Sequence, residues 1–200
     1  MNKILVATTH RCGSTALYNI VRFCLLRSNK GVYSSWYGFY DEKRGPLDTH
    51  VVKIHNFDNR FLGWADMVLT AKRDLRDIMG SLKRFSLARG RDFNFDDELR
   101  RCVYYYNAWD QYSDYEFIYE DFFNNPIGII DEIAKTIGVA VSANDVHADL
   151  RRITEHPRGF GLCTQHLLTH PSHVGSMKPG CYAEHLTAEE VSGIYKYGKI

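Results

Sequence analysis

The stretch from Lys3 to Arg22, KILVATTHRCGSTALYNIVR, carries a strand signal, a turn and a helix signal in succession. Ile4-Leu5-Val6-Ala7 is a short apolar run, as expected of a parallel strand buried on both faces. His10-Arg11-Cys12-Gly13-Ser14-Thr15 is a turn rich in hydrogen-bond donors. From Ser14 to Leu26 the apolar positions Leu17, Ile20, Val21 and Leu25 recur at helical spacing, so the turn opens a helix. Such a turn aims several backbone N–H groups and the positive end of the helix at one spot. Gly13 lets the backbone approach a ligand closely, Ser14 and Thr15 add hydroxyl donors, and Arg11 adds a charged fork. This is a cradle for phosphate or sulfate. A nucleoside-triphosphate loop would read GxxxxGK[ST], whereas here Ser14 follows Gly13. The plainer alternative is a strand followed by a helix that Ser14 caps.

Downstream, Val51-Val52-Lys53-Ile54-His55 and Met67-Val68-Leu69-Thr70-Ala71 read as further strands, and residues 28–49 as a loop with room for a short strand. Helices are expected from Asp74 to about Leu87, with Ile78, Leu82 and Phe85 inward, and from about Asp96 to Tyr112. Tyr115–Tyr119 is strand-like. Pro126–Ile137 is helical, with Pro126 in its first turn and Gly138 as its stop. A further helix is expected near 143–155, then a Gly/His/Pro-rich loop over 156–186 and a short helix from Ala188. Alternation of strands and helices predicts an α/β fold, a three-layer sandwich with a mostly parallel central sheet. The 200 residues fit a single domain, 1–200.

With 44% hydrophobic and 24% charged residues the composition is that of a folded globular chain. A net charge of +1 argues against a general nucleic-acid binder. No apolar stretch approaches the ~18 residues of a membrane span, and no secretory leader follows Met1, so a soluble, cytoplasmic protein is expected. The five cysteines are scattered without a CxxC pair, which predicts reduced thiols and no zinc site.

A second basic segment, VLTAKRDLRDIMGSLKRF over 68–85, sets Arg73 at the end of a predicted strand and Ser81 about two helical turns on. Ligands of open α/β sheets bind outside the carboxyl ends of the strands, so Arg73 shares a rim with the first turn. Its neighbours Lys72, Arg76, Lys83 and Arg84 read as solvated surface charge.

These segments resemble those of the PAPS-dependent sulfotransferases, where PAPS is 3′-phosphoadenosine 5′-phosphosulfate. HRCGSTAL is similar to the family's 5′-phosphosulfate loop, written PKSGTT or PRSGST. RDLRDIMGS resembles its 3′-phosphate segment, in which an Arg and a Ser eight residues apart hold that phosphate. Lys53-Ile54-His55 stands where cytosolic members carry KTH. Tyr119-Glu120-Asp121, followed by a helix ending in IAKTIGV, resembles their YED segment. GCYAEHLT, from Gly180 to Thr187, resembles their GDWKNHFT. The likeness spans nearly the whole chain, with the motifs in the family's order.

The resemblance implies a P-loop nucleotide-binding-like fold and transfer of a sulfuryl group from PAPS to a hydroxyl or amine, without a metal. It assigns Arg11, Cys12, Gly13, Ser14 and Thr15 to the 5′-phosphosulfate, Arg73 and Ser81 to the 3′-phosphate, and Ala16 to the adenine end of the same nucleotide site. Tyr119, Lys178 and Gly180 are implied as further nucleotide contacts. His55 takes the place of the catalytic base, and an imidazole titrates in the right range for it. Lys53 and Arg11 would stabilise charge on the sulfuryl group and the leaving bridge; Arg11 acts electrostatically because it cannot give up its proton. Ala16 replaces a Trp that stacks on adenine in cytosolic members, and Tyr182 replaces the Trp of GDWK. The implied acceptor is a small molecule, or a group on a glycan or peptide, with no nucleic-acid or membrane partner. The loop aromatics Tyr33, Trp36 and Tyr37 are candidates to line its pocket; Tyr104, Tyr105, Tyr106 and Trp109 read better as helix core. Two other readings stay open: a small-molecule or nucleoside kinase on a related fold, and a non-catalytic nucleotide-binding module.

Overall fold

The structure, a computed structural model, describes residues 2–43, 49–155 and 178–197. A five-stranded sheet is built from β1 (Asn2–Ala7), β2 (Val32–Trp36), β3 (Thr49–Ile54), β4 (Met67–Lys72) and β5 (Tyr115–Ile118), in the order β2-β3-β1-β4-β5. Every pairing is parallel. The chain leaves β1 toward β2 on one side and β4 toward β5 on the other. The carboxyl ends of the adjacent β1 and β4 therefore form the switch point where such sheets bind ligands.

Period-two alternation divides β1 between the faces. Ile4 and Val6 enter a large core with α1 (Ser14–Arg27), α3 (Leu75–Leu87), α6 (Pro126–Thr136) and α7 (Ala143–Glu155). Leu5 and Ala7 enter a smaller core, covered by Tyr37, Tyr40, Trp109 and the segment around α2 (Asn59–Leu62). The three-layer reading holds, with a thin second layer. Leu17, Ile20, Val21 and Leu25 are buried along α1, each worth about 1.5–3 kcal/mol. The helix α4 (Phe95–Asp110) serves both cores, Leu99, Cys102 and Tyr106 on one side and Trp109 on the other. Short α5 (Tyr119–Asn124) follows β5, so Tyr119 opens a helix where a strand end was expected. A 3-10 turn over Cys181–Glu184 and α8 (Ala188–Tyr195) complete the described chain.

Residues 28–49 hold the short strand for which the sequence left room, β2, with Ser34 and Ser35 buried; Arg22 Nε donates to Ser34 Oγ at 3.0 Å, and Ser35 Oγ to the Trp36 carbonyl at 3.0 Å. One further expectation is corrected: Lys72, Arg76 and Lys83 are structural ties instead of solvated charge. Lys72 pairs with Asp110 and Glu116, Lys83 with Glu190, and Arg76 with Asp74, while Arg76 also donates to the hydroxyls of Tyr182 and Tyr195. Cys12, Cys24, Cys102 and Cys181 are buried free thiols. Cys163 and most of the 156–186 loop lie outside the described residues. Among the described residues no helix is long and apolar enough to cross a membrane.

Candidate functional site

The turn after β1 begins α1 without Ser14 as its cap. Gly13 holds the N-cap position at φ 90°, and no side chain caps the helix. Arg11 also lies in the left-handed region, at φ 65°, with Cys12 outside it. Alternation of this kind points successive N–H groups inward, as in anion-binding nests. Gly13 is required twice over: for its φ, and because a Cβ there would stand 2.5 Å from Tyr119 Cδ2. Cys12 is buried, its thiol donating to the Thr9 carbonyl at 3.0 Å, and burial raises its pKa. It supports the turn from behind. Ala16 is half-buried against the large core.

Lys53 turns from β3 toward this loop, and its ammonium donates to Thr15 Oγ1 at 2.7 Å. The side chain is buried, 4% exposed, not a surface lysine. Burial, opposed by Cys12 and aided by Arg11, brings its pKa down to about 7. His55 lies just past the end of β3. Its Nδ1 is 3.1 Å from the Thr8 carbonyl, and its ring is bordered by those of His10 and Trp36. A hollow lined by Thr8, Thr9, Thr70, Tyr105, Tyr106 and Trp109 opens between β1, β4 and α4.

The second segment meets the first directly. Arg11 Nε donates to Ser81 Oγ at 2.9 Å, and the guanidinium lies 5.2 Å from the Phe85 ring. Thus Arg11 spans both expected anchors. Burial, followed by the charges of Arg84, Arg73 and Arg89, brings its pKa down to about 10. Arg73 is buried over the Tyr119 ring at 4.6 Å, and the Tyr106 hydroxyl clamps its backbone N–H and carbonyl. Its own partners are poor. Nη2 is 3.6 Å from Asp77 and 3.8 Å from Cys181 Sγ, and buried Nε has no hydrogen-bond partner among the described residues. A guanidinium so placed lacks acceptors, which phosphate oxygens would supply.

Asp77 is fully buried, and its carboxylate accepts from the N–H groups of Gly180 at 2.8 Å and Tyr182 at 3.0 Å. The 180–184 turn is thereby docked on α3, where Gly80 leaves room for the Tyr182 backbone. Gly180 spends its N–H on Asp77, and Lys178 is exposed. Asp77, Tyr106, Thr8 and His10 shape the site although nothing in the sequence assigned them a role in it, while Trp36, a candidate pocket residue, stands beside His55. Only Asp77 left a signal there, four residues after Arg73 on a helix.

No protein-family model matches the chain, and no curated protein matches it either. Solved structures do. Mouse sulfotransferase SULT7A1 complexed with PAP superposes with a TM-score of 0.72 at 14% identity, over 98% of this chain and 82% of that one. Retinol dehydratase in complex with androsterone and the inactive cofactor PAP gives 0.63 at 17% identity, over 98% and 79%. The same enzyme with retinol and PAP gives 0.60 at 16% identity. The fold is the sulfotransferase fold. Within the sulfotransferase fold, the rim that joins Arg11, Lys53, His55, Arg73 and Ser81 lies at the carboxyl ends of β1, β3 and β4.

Proposed function

We propose that this chain is a PAPS-dependent sulfotransferase, moving a sulfuryl group to a hydroxyl or amine of a small-molecule acceptor. The observation that carries the reading is the under-neutralised cation cluster: buried Lys53 and Arg73 with Arg11 between them, and Asp77 facing Arg73. Burial penalises the charges of Lys53 and Arg11 until an anion arrives, and Arg73 is short of acceptors. Arg11, the Gly13–Thr15 turn and Lys53 would hold the 5′-phosphosulfate. Arg73 and Ser81 would hold the 3′-phosphate, with Tyr119 packed between the two grips. Transfer requires in-line geometry, charge stabilisation and a base. His55 takes the acceptor's proton, the acceptor oxygen or nitrogen bonds to sulfur, and the sulfur–oxygen bond to the bisphosphate breaks. Lys53 and Arg11 stabilise the charge left on the departing oxygen. Trp36 beside His55, with Tyr37 packed against it, offers an aromatic wall that suits a flat or apolar acceptor. The solved neighbours hold androsterone and retinol, molecules of that kind.

The test pairs binding with turnover. Adenosine 3′,5′-bisphosphate at a hundred times its Kd should stabilise the protein by about 2.7 kcal/mol, and labelled PAPS should transfer sulfate to a member of a hydroxyl and amine panel. Stabilisation by ATP–magnesium alone would establish a kinase instead. Binding of the bisphosphate with no transfer across the panel would establish a non-catalytic module.

A further inference from the structure

The first residue of the turn, His10, has no part in the scheme above. Its ring lies 4.1 Å from that of His55, centroid to centroid, with the planes inclined by 35°. The Trp36 ring stands 4.9 Å from the same imidazole, and the Thr8 carbonyl meets its Nδ1 at 3.1 Å. A carbonyl only accepts, so Nδ1 carries the hydrogen in this contact and the basic lone pair belongs to Nε2. The Thr8 hydroxyl, which gives its hydrogen to the Thr9 carbonyl at 3.0 Å, stands 3.5 Å from the same Nδ1 as a second acceptor, so Thr8 and two rings together border the imidazole.

We propose that His10 is a positioning residue for His55, keeping its ring in the orientation and tautomer that proton abstraction needs. The proposal rests on the reading of His55 as the acceptor's base. The charged groups facing His10 are all cationic: Arg101 from α4, Lys53 from β3, and Arg11 next to it. Burial first, then those charges, bring His10 down to about 4, so it is neutral at physiological pH. When the acceptor's proton moves to Nε2, His55 becomes an imidazolium. A neutral aromatic ring alongside accommodates that charge, whereas a second imidazolium would repel it. His10 itself exchanges no proton in the step.

The test uses His10→Ala and His10→Phe in the full chain, with nitrogen-15 NMR of the histidine rings beside steady-state kinetics. In the unaltered protein His55 should show the Nδ1–H tautomer. His10→Ala should mix the tautomers and lower kcat by roughly tenfold to a hundredfold, with bisphosphate affinity changed less than about twofold. His10→Phe, which keeps a neutral ring, should recover most of the loss. Unaltered His55 tautomer in His10→Ala overturns the proposal, whatever kcat does. Should the parent protein transfer no sulfate to any acceptor, the reading of His55 as base falls, while the tautomer experiment still decides whether His10 positions it.

Discussion

Replacing Lys53 by Met should make the protein more stable and less active at once. In the unfolded chain the lysine titrates near its ordinary 10.5, and in the folded protein near 7. Folding therefore expels a proton wherever the pH lies between those values, and stability rises with pH across that window. Below pH 7 the full penalty applies, roughly 5 kcal/mol at 1.36 kcal/mol per unit. From pH 6.5 to 8.5 linkage predicts a rise of about 2 kcal/mol from this group alone. His10, lowered to about 4, and His50, also lowered by burial, add a smaller rise that fades above pH 6.5, while the buried thiols of Cys12, Cys24, Cys102 and Cys181, all raised, subtract from stability as the pH nears 9, so these lesser contributions oppose each other. Lys53→Met keeps a side chain of similar length and loses one hydrogen bond to Thr15, worth about 1 kcal/mol. Urea denaturation of both proteins at pH 6.5, 7.5 and 8.5 should show the rise in the parent and a flat profile in the variant. The variant should lie above the parent at pH 6.5 and transfer sulfate poorly at every pH. A parent whose stability does not change over this range, or a variant that climbs as steeply, would refute the argument that Lys53 is held as a strained cation.

Other outcomes follow from the same geometry. His55→Ala should keep bisphosphate affinity, measured by calorimetry, and lose about two to four decades of kcat. Arg73→Ala should weaken bisphosphate binding at least tenfold, read in the same titration, because it removes a charge-assisted contact worth about 1.5–3 kcal/mol. Gly13→Ala should lower the melting temperature, as its Cβ would meet Tyr119 in a left-handed backbone that costs alanine about 1–2 kcal/mol; an unchanged Tm would show that the turn relaxes freely.

The elements most legible in the sequence were those with a clean period. β1, its turn and α1 follow directly from Ile4–Ala7 and from Leu17, Ile20, Val21 and Leu25, because burial on both faces or on one stripe leaves a plain pattern. β2 was legible only as room for a short strand, without bounds, because Ser34 and Ser35 are polar residues buried with partners, which hydrophobic periodicity does not register. The positions of Arg11, Lys53, His55, Arg73 and Ser81 on one rim were foreseeable from strand order and motif. The contact of Arg11 with Ser81, seventy residues apart, was not. Nor was the fate of the other basic side chains, since Lys83 finds Glu190 only after the chain has folded around α3. Ser14 as a cap was a sound local guess, displaced because Gly13 takes the cap position in a conformation that shapes the cradle.

The docking of the 180–184 turn on Asp77 has an electrostatic consequence. Two amides from residues 180–182 draw on the Asp77 carboxylate that faces Arg73, leaving the arginine only a distant contact with it. The C-terminal turn thus competes with the cation for its counter-ion, and by winning keeps Arg73 hungry for phosphate. Loosening that turn would let carboxylate and guanidinium close on each other, silencing the grip without touching any residue that meets the nucleotide.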